Sequence, residues 1–515
     1  MSQDVVFAHM ARPVSYAPVP DKVERIDTHA AVIFLAGNFA YKLKRAVKLP
    51  YLDFSTLKQR RAICTREVEI NRRTAPDVYL GVVPIVRAAE GTLEIDGLGE
   101  PVEWAIRMRR FDEAELFDRL ASAGNLPLGL MAPLADEIAA LHGGERSRRN
   151  IDGAAMMKGV VEPVLKSLGR DVSVLKSQDV ADLARALRRE LRAQAGLLRT
   201  RARQGYVRHC HGDLHLQNIV RIDGNPVLFD AIEFDDRMAT VDTLYDLAFL
   251  LMDLWHRGLS THANTLLNAY LQRSCKRRPM GSLRGLALLP LFLSVRASVR
   301  SMVALDRLAF ANRAGSAAAR RDAGEYLQLA RDVLQPASPR LVAIGGLSGT
   351  GKSTLAAALA PDVGAVPGAI VLRSDIERKR LAGVNKTTRL KSEHYTPAAT
   401  GRVYRALFAK AESALDAGRT VILDAVFARP HQRRRVAEIA REANVPFTGI
   451  WLEASDQALI ERVEARRGDA SDANARVVRN QLGYEIGEID WHRVNASGAR
   501  DKVRNRVFKL LRSEA

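Results

Sequence analysis

The segment at residues 346–353 combines residue types and spacing that suit phosphate binding. It runs Gly-Leu-Ser-Gly-Thr-Gly-Lys-Ser and fits the pattern G-x-x-x-x-G-K-[ST] in full. Glycines let backbone N–H groups surround a phosphate without Cβ clashes, and a helix that starts after the loop adds the positive end of its dipole. The lysine would reach the β- and γ-phosphates of ATP, and the last serine would ligate Mg²⁺. We therefore expect nucleotide contacts from Gly346, Ser348, Gly349, Thr350, Gly351, Lys352, Ser353 and Thr354, with Ser353 also at the metal.

Two carboxylates and an arginine follow at positions that suit group transfer. Asp375 ends the predicted strand segment VLRSD, where it could accept the proton of an acceptor hydroxyl or simply cap the next helix. Arg378, one turn on, could hold an anionic part of the acceptor. Asp424 ends the apolar run TVILD, where a carboxylate would contact Mg²⁺ or its waters.

An arginine-rich segment, ERVEARRGDASDA, lies further along the chain. Arg462 and Arg466 are four residues apart and so share a helix face, with Arg467 beside them. Arginines on a lid stabilise charge on a transferring phosphoryl group, and we assign that role to Arg466. The alternative is a solvated basic helix end.

A second candidate site lies at residues 209–218, which run His-Cys-His-Gly-Asp-Leu-His-Leu-Gln-Asn. Zinc is one interpretation, but the spacing of the histidines is out of register with the H-x-H-x-D-H pattern. The better interpretation is a loop in which Asp213 accepts a hydroxyl proton and Asn218, five residues later, ligates Mg²⁺. Asp230, which ends the hairpin IVRIDGNPVLFD, suits the other Mg²⁺ ligand. We expect Asp246 to brace this loop.

The predicted secondary structure changes twice along the chain. Residues 25–110 alternate short apolar runs with turns, which predicts a small antiparallel sheet with one helix at about 56–74. Residues 112–334 are mainly helical, with a strand-rich insertion at 219–234. A proline-rich linker at 336–340 precedes a region in which strands, expected at 341–345, 369–373, 420–424 and 447–452, alternate with helices.

The motifs of the C-terminal region, GLSGTGKS, RSDIER, VILDAVF and ERVEARRGDASDA, resemble those of the small P-loop kinases that include polynucleotide 5′-kinases. The likeness covers about 170 residues. It implies transfer of a phosphoryl group from ATP to a hydroxyl, with Asp375 and Arg378 in the acceptor-activating and phosphate-holding positions.

The N-terminal region resembles the aminoglycoside-phosphotransferase family, a relative of the protein-kinase fold, through its HGD…N…D series. The resemblance implies a strand lysine that grips ATP and pairs with a helix glutamate. FAYKLK supplies Lys42, with Lys44 as the alternative, and TREVEIN supplies Glu67, with Glu69 as the alternative. The stretch 103–111 then resembles the hinge that holds adenine. No G-x-G-x-x-G precedes Lys42, so the cover over the phosphates is not defined by the sequence.

The expected fold is an α+β, bilobal, kinase-like domain at 1–335 (sheet lobe about 25–110, helical lobe about 112–334), a linker at 336–340, and an α/β P-loop NTPase domain with a parallel sheet at 341–515. The size of the chain, 515 residues, agrees with two domains. Three widely spaced cysteines and the lack of a signal peptide or long apolar span favour a cytoplasmic protein without a membrane partner.

The net charge of +19 suits anionic partners, although solvated arginines on helix faces account for much of it. The sequence predicts a bifunctional, ATP- and Mg²⁺-dependent phosphotransferase acting on small hydroxyl acceptors. A nucleic-acid-end kinase or binding protein with a regulatory N-terminal lobe is the alternative, and nucleic acid is the less favoured partner.

Overall fold

The computed structural model describes residues 2–28, 30–49, 52–170, 174–274, 279–308, 313–465 and 470–513. The chain divides into two compact units. One contains Met1–Ile151 and Ala202–Asp253, and the other contains Asp152–Arg201 and Leu254–Ala515. The second unit therefore joins helices that precede the proline-rich linker to the region that follows it, and the domain boundary predicted at 336–340 stays a prediction.

The first unit begins with a six-stranded antiparallel sheet in the order β1-β2-β3-β8-β6-β7. Its long helix, α2, starts where the side chains and backbones of Thr56 and Gln59 form a reciprocal capping box. The predicted sheet and helix are thus both present. The elements are α1 (Gln3–Met10), β1 (Val23–Asp27), β2 (Ala31–Ala36), β3 (Phe39–Lys44), β4 (Lys48–Leu49), β5 (Leu52–Asp53), α2 (Leu57–Asn71), β6 (Tyr79–Arg87), β7 (Leu93–Ile95) and β8 (Glu100–Arg109).

The rest of the first unit consists of short helices and two small antiparallel pairs, β9 with β12 and β10 with β11. The predicted hairpin at 219–234 is β10–β11. Its turn is Asp223-Gly224, both with positive φ, which is the backbone that two-residue hairpins favour. The elements are α3 (Phe117–Ser122), α4 (Met131–Gly144), β9 (Val207–His209), β10 (Ile219–Ile222), β11 (Asn225–Leu228), α7 (Asp236–Ala239), β12 (Thr240–Asp242) and α8 (Thr243–His256).

The first part of the second unit is a set of helices, some of which precede β9 in the sequence and some of which follow β12. The hydroxyl of Ser294, which is fully buried, donates to the carbonyl of Ala330 at 2.7 Å, and Ser301 bonds Ala323 in the same way. These bonds tie two of the helices together along their length. The helices are α5 (Gly153–Leu168), α6 (Ser177–Arg203), α9 (Ser260–Ser274), α10 (Pro279–Arg284), α11 (Leu289–Arg307) and α12 (Arg313–Asp332).

A five-stranded parallel sheet in the order β14-β15-β13-β16-β17 forms the remainder of the second unit. The central strand is buried at every residue, as expected for a parallel sheet covered on both faces. The strands are β13 (Leu341–Gly345), β14 (Ile370–Arg373), β15 (Val421–Asp424), β16 (Phe447–Glu453) and β17 (His492–Asn495). The helices are α13 (Lys352–Leu359), α14 (Ser374–Leu381), α15 (Pro397–Asp416), α16 (Pro430–Glu442), α17 (Asp456–Glu464), α18 (Ala475–Leu482) and α19 (Arg500–Ser513).

The predicted fold class is confirmed: a kinase-like region precedes a parallel-sheet region of P-loop type. The four strands predicted after residue 340 are all present, within a residue at either end. The fifth, β17, was not predicted, because only Val494 of its four residues is buried and the segment lacks an apolar pattern.

One helical stretch, Met280–Arg307, has the length and composition to cross a membrane among the residues described. Its most apolar window has a mean hydropathy of 1.5, and 67% of that window is buried inside the protein. Such burial is typical of a core helix.

Candidate active sites

The phosphate-binding loop joins β13 to α13, as the sequence predicts. Gly346, Gly349 and Gly351 have φ angles of +132°, +90° and +93°, which side-chain-bearing residues rarely adopt. A Cβ atom on Gly349 would lie 2.6 Å from the carbonyl oxygen of Leu459. The glycines are therefore required both by the loop's curvature and by the chain packed behind it.

Two polar side chains of this loop, Lys352 and Thr350, bond to backbone carbonyls of the loop. The ammonium of Lys352 donates to the carbonyl oxygens of Gly346 and Leu347, each at 2.8 Å. The hydroxyl of Thr350 also donates to Leu347, at 2.8 Å. Binding a phosphate here means that the lysine exchanges bonds with carbonyl oxygens for bonds with phosphate oxygens.

Two residues outside the loop, Gln481 and Thr354, lie next to it. The amide of Ser348 donates to the side-chain oxygen of Gln481, in α18, at 2.8 Å. Thr354 is exposed on the first turn of α13, where it lines the same cavity as the loop. The contact with Gln481 was not foreseen, because nothing in the sequence of α18 marks that residue.

The metal-ligand pair expected in this half is assembled. The hydroxyl of Ser353 donates to Oδ2 of Asp424 at 2.6 Å, and Asp424 is almost completely buried at the end of β15. A hydroxyl and a carboxylate are the hard oxygen donors that Mg²⁺ prefers, so this donor set fits that ion. Arg373, at the end of the neighbouring strand, also donates to Oδ2 of Asp424, at 3.1 Å.

Asp375 lines the same cavity as the phosphate-binding loop. It lies in the first turn of α14, directly after β14. Removal from solvent, and then the negative charge of Asp424, raise the pKa of Asp375 above its ordinary value. A carboxylate with a raised pKa is a better proton acceptor than an ordinary one, which suits general-base chemistry.

Arg378 lies one turn beyond Asp375 and is held by α15 and the segment before it. Its guanidinium donates to the carbonyl oxygen of His394 at 2.6 Å and lies 4.8 Å from the ring centroid of Tyr395. A weaker bond of 3.4 Å reaches Thr400. Both Arg378 and Tyr395 line the cavity, so the arginine can meet an anionic group there.

A connected group of residues, not predicted from the sequence, ties the segment around Tyr395 to the segment around Asp472. The buried ammonium of Lys379 donates to Oδ1 of Asp472 at 2.6 Å. The other oxygen of Asp472 accepts from the hydroxyl of Tyr395 at 2.6 Å and from the amide of Leu390 at 3.0 Å. These residues lie far apart in the sequence, and no local motif links them.

The arginine-rich segment is only partly described. Arg466 and Arg467 lie outside the described residues. Arg462, on α17, donates to the carbonyl oxygen of Ala496 at 2.9 Å and approaches that of Gly349 at 3.5 Å. Arg462 therefore contacts the phosphate-binding loop directly, and it lines the cavity.

These residues share one cavity of about 1810 Å³. Its walls combine the phosphate-binding loop with four carboxylates, Asp375, Asp424, Asp472 and Asp501, and with a larger number of basic side chains. The basic residues are Lys352, Arg378, Arg389, Arg429, His431, Arg462, Arg476, Arg500 and Arg504.

In the first unit, the strand lysine and helix glutamate meet as expected. Nζ of Lys42, on β3, lies 2.7 Å from Oε1 of Glu67, on α2, and 2.6 Å from Oδ1 of Asp230. Burial alone would lower the pKa of Lys42, but the charges of Asp230 and Glu67 raise it well above its ordinary value. The lysine therefore stays protonated, as a phosphate-gripping residue must.

The alternative lysine also contacts Glu67. Lys44 lies 2.5 Å from Oε2 of Glu67 and 2.6 Å from Oε1 of Glu233. Residues two apart on a strand share a face, so one glutamate holds both lysines through its two oxygens. The alternative glutamate, Glu69, is 61% exposed and pairs with Arg66 at 3.6 Å instead.

The loop with Asp213 is ordered by its neighbours. The amide nitrogen of Asn218 donates to the backbone oxygen of Asp213 at 2.9 Å and to its Oδ2 at 3.0 Å. The amide oxygen of Asn218 is then the atom suited to a metal. Together with the carboxylate of Asp230 it forms an oxygen set that fits Mg²⁺.

Asp246 accepts hydrogen bonds from the backbone amides of His211, at 3.2 Å, and Gly212, at 2.8 Å. It also bonds Nε2 of His142 at 3.0 Å. The expected brace is therefore present. His142, Cys210 and Asp246 place their ligand atoms within 4.8 Å of one another, but both oxygens of Asp246 already accept bonds, so the group serves structure better than a metal.

The zinc interpretation of the histidines has no geometric support among the described residues. His209 lies 3.3 Å from Asp236, His211 bonds the carbonyl oxygen of Phe229 at 3.0 Å, and His215 lies 3.2 Å from Asp213. The three rings thus have separate partners.

The structure modifies one further expectation for this unit. Most of the predicted hinge, 103–111, is strand β8, which ends at Arg109, so only the last residues can form a connection.

Comparison with known proteins places the chain in a family. It is 31% identical over 514 residues to the uncharacterized protein Rv2004c of Mycobacterium tuberculosis, covering 98% of this chain and 97% of that one, and equally to the uncharacterized protein Mb2027c of Mycobacterium bovis. The chain belongs to the family of these mycobacterial proteins.

The two regions also match separate family models. The phosphotransferase enzyme family matches residues 80–286, and an AAA domain family matches residues 341–484. The predicted pairing of a phosphotransferase-like region with a P-loop region is confirmed, and the chain is an ATP-dependent kinase or phosphotransferase.

Solved structures with partial likeness include kinases. A choline/ethanolamine kinase family protein from Mesorhizobium loti is 15% identical, with a TM-score of 0.37, 64% of this chain and 100% of that one being covered. A gluconokinase from Sinorhizobium meliloti is 20% identical, with a TM-score of 0.26 and coverages of 34% and 94%. At these TM-scores, neither structure carries an argument about substrate.

Proposed function

We propose that the chain is a bifunctional, ATP- and Mg²⁺-dependent phosphotransferase with one site in each half. The observation that carries this proposal is that each half combines a lysine for the phosphates, a carboxylate base and an oxygen pair for a metal. These are Lys352, Asp375 and Ser353 with Asp424 in one half, and Lys42, Asp213 and Asn218 with Asp230 in the other.

In the C-terminal site, Asp375 accepts the proton of the acceptor hydroxyl as the oxygen attacks the γ-phosphorus. The new O–P bond forms while the bond from the γ-phosphorus to the bridging oxygen breaks, and ADP leaves. Lys352 and Arg462 counter the charge on the phosphate oxygens. Mg²⁺, held by Ser353 and Asp424, would neutralise charge on the β- and γ-phosphates.

In the N-terminal site, Asp213 takes the corresponding role of base. Lys42, oriented by Glu67, grips the phosphates, and Asn218 and Asp230 would hold the metal ion. Asp246 holds the loop in place by accepting hydrogen bonds from the backbone amides of His211 and Gly212. The pairing of Lys42 with Glu67 favours a competent site over a regulatory lobe, because such a pairing aligns the lysine for ATP.

The acceptor of the C-terminal site is proposed to carry negative charge. Arg378, Arg389 and Arg429 line the cavity together with the base Asp375. Opposite charge in a partly desolvated cavity favours an anion over a neutral polyol. A polynucleotide end is the alternative acceptor, since it is also an anionic hydroxyl compound.

Isothermal titration of ATP with Mg²⁺ tests the number of sites. Wild type is expected to bind two equivalents, and Lys352→Ala and Asp230→Ala to bind one each. The two variants act as controls for one another. Loss of a site in Lys352→Ala alone would make the N-terminal half a regulatory domain, and unchanged binding in both variants would overturn the proposal.

An acceptor screen tests the chemistry. Asp213→Asn confines turnover to the C-terminal site and Asp375→Asn confines it to the N-terminal site. Carboxylated and phosphorylated hydroxyl compounds are expected to stimulate ADP release by Asp213→Asn more than neutral polyols do. Stimulation only by oligonucleotides, with a steep loss as salt is added, would favour the polynucleotide alternative.

A further inference from the structure

The edge strand of the parallel sheet has backbone groups that no other strand of the sheet satisfies. β14 pairs with β15 on one side only. The amide of Ile370 donates to the carbonyl of Thr420 at 2.9 Å, on the β15 side. Because consecutive residues of a strand point their amides in opposite directions, the amide of Val371 and the carbonyl of Ala369 face away from the sheet.

Two asparagines of α9 complete this edge. Oδ1 of Asn268 accepts from the amide of Val371 at 2.8 Å, and Nδ2 of Asn268 donates to the carbonyl of Ala369 at 3.1 Å. One turn earlier on the same face, Nδ2 of Asn264 donates to the carbonyls of Pro367 and Ala369, each at 3.0 Å. An asparagine side chain carries the same donor and acceptor as a peptide group, so the helix acts as a substitute strand.

The contact between α9 and the segment that leads into β14 is tightly packed. Asn264 and Asn268 are only 3% and 8% exposed. A Cβ atom on Gly368 would lie 2.7 Å from Nδ2 of Asn264 and 2.2 Å from the carbonyl oxygen of Ala360. Gly368, with a φ of +106°, therefore lets the chain approach the helix. Buried amide groups placed in this way are costly unless all their bonds are made.

The strand that these asparagines hold leads directly to the acceptor side of the C-terminal site. β14 ends at Arg373, which donates to Asp424, and Asp375 follows two residues later. The asparagines themselves lie within residues 80–286, which match the phosphotransferase family, whereas β14 lies in the region that matches the AAA domain family.

We propose that Asn264 and Asn268 are positioning residues for phosphoryl transfer at the C-terminal site, contributed by the part of the chain that belongs to the phosphotransferase match. They fix the position of β14 along its neighbour, β15. In this way they place Arg373 and Asp375 relative to Asp424 and the phosphate-binding loop. The inference rests on the proposed function of Asp375. A shift of about 1 Å at a base is enough to lower turnover by about a hundredfold.

The test compares Asn268→Leu, which keeps the branched shape of the side chain but makes no hydrogen bonds, with Gln272→Ala on the next turn of α9. Asn264→Ala serves as a second variant should Asn268→Leu fail to fold. Amide hydrogen exchange in the full-length protein is read at Val371 and over residues 374–378. ATP turnover by the C-terminal site is measured in the Asp213→Asn background.

Asn268→Leu is expected to speed exchange at Val371 by about tenfold, since a direct bond to that amide is lost, and to raise exchange over 374–378 as well. Turnover is expected to fall by about tenfold or more through kcat, with the KM for ATP within about twofold of wild type. Gln272→Ala is expected to leave all of these unchanged.

Faster exchange at Val371 with unchanged exchange over 374–378 and unchanged kcat would show that the asparagines only seal the edge, and would overturn the positioning role. An equal loss in Gln272→Ala would also overturn it. If Asp375→Asn does not lower ATP turnover in the Asp213→Asn background, the proposed function of the site fails, and exchange over 374–378 still decides whether the asparagines position that segment.

Discussion

Ser353 donates a hydrogen bond of 2.6 Å to Asp424, which links the end of the phosphate-binding loop to the end of the neighbouring strand. The same carboxylate oxygen accepts from Arg373. One buried carboxylate thus fixes the spacing of three segments that converge on the nucleotide site. Its charge also acts on Asp375, so the proposed metal ligands and the proposed base are electrostatically linked.

Asp424→Asn is expected to lower turnover at the C-terminal site by about 10²–10³-fold, because a metal-ligand charge aimed at the transferring group is lost. The Mg²⁺ concentration needed for half-maximal turnover should rise as well. Titration of Mg²⁺ against ADP release in the Asp213→Asn background measures both. Asp416→Asn, an exposed aspartate at the end of α15, is the control, and a loss of similar size there would contradict the assignment.

The pH profile of the C-terminal site should report the raised pKa of Asp375. A general base works only when ionised, so turnover is expected to fall as pH falls through that pKa, at a higher pH than an ordinary aspartate would give. Initial rates in the Asp213→Asn background measure the profile. A midpoint at the ordinary value of an aspartate, 3.8, would remove Asp375 as the base.

Glu67→Gln should destabilise the first unit strongly, because Glu67 is fully buried and holds both Lys42 and Lys44. Removal of one partner from a buried ion cluster costs about 3–5 kcal/mol. Thermal or urea unfolding measures the loss, and Glu69→Gln on the same helix should stay within about 0.5 kcal/mol of wild type. Equal effects of the two substitutions would contradict the ion-cluster explanation.

The same variant has a pH signature. Burial would raise the pKa of Glu67, but the two lysines lower it below its ordinary 4.5. A lowered pKa means that the stabilising charge is fully present above about 4.5 and is lost as pH falls through the folded-state value. The stability difference between wild type and Glu67→Gln should therefore be largest near neutral pH and shrink in acid. A difference that grows in acid would contradict this sign.

Lys42→Met and Lys44→Met should differ in binding. Lys42 reaches Asp230, a proposed metal ligand, whereas Lys44 reaches Glu233. In the Lys352→Ala background, Lys42→Met is expected to lose ATP binding, and Lys44→Met to retain it with reduced stability. Titration calorimetry and thermal unfolding separate the two effects. Retained ATP binding in Lys42→Met would contradict the assignment of Lys42 as the lysine that binds the phosphates.

The two loops of the candidate sites could be predicted because the residues of each loop are close in sequence. The loop at 346–353 and the run from Asp213 to Asn218 fix their geometry locally, through glycine backbone angles and short-range bonds. The choice of Lys42 and Glu67 rested on a family resemblance. Lys44 contacts the same glutamate and also Glu233, which lies 189 residues later in the chain and which no local pattern connects to it.

The parts that could not be predicted are made by long-range contacts. Asp472 contacts Lys379 and Tyr395 across 93 and 77 residues of sequence, and Asn268 contacts Val371 across 103 residues. Neither pair lies in a segment with a distinctive pattern, and an asparagine or aspartate on a helix or loop is more often exposed than buried, so the sequence shows no sign of a buried bond. Tertiary packing alone decides their roles.

The asparagines of α9 bear on how the protein can be divided experimentally. A fragment that begins at the proline-rich linker would keep all five strands of the parallel sheet but would leave the outer edge of β14 bare. Bare strand edges pair with one another, and natural proteins cover or charge them to stay dispersed. We expect such a fragment to self-associate, and we expect a fragment extended back to include α9 to associate less.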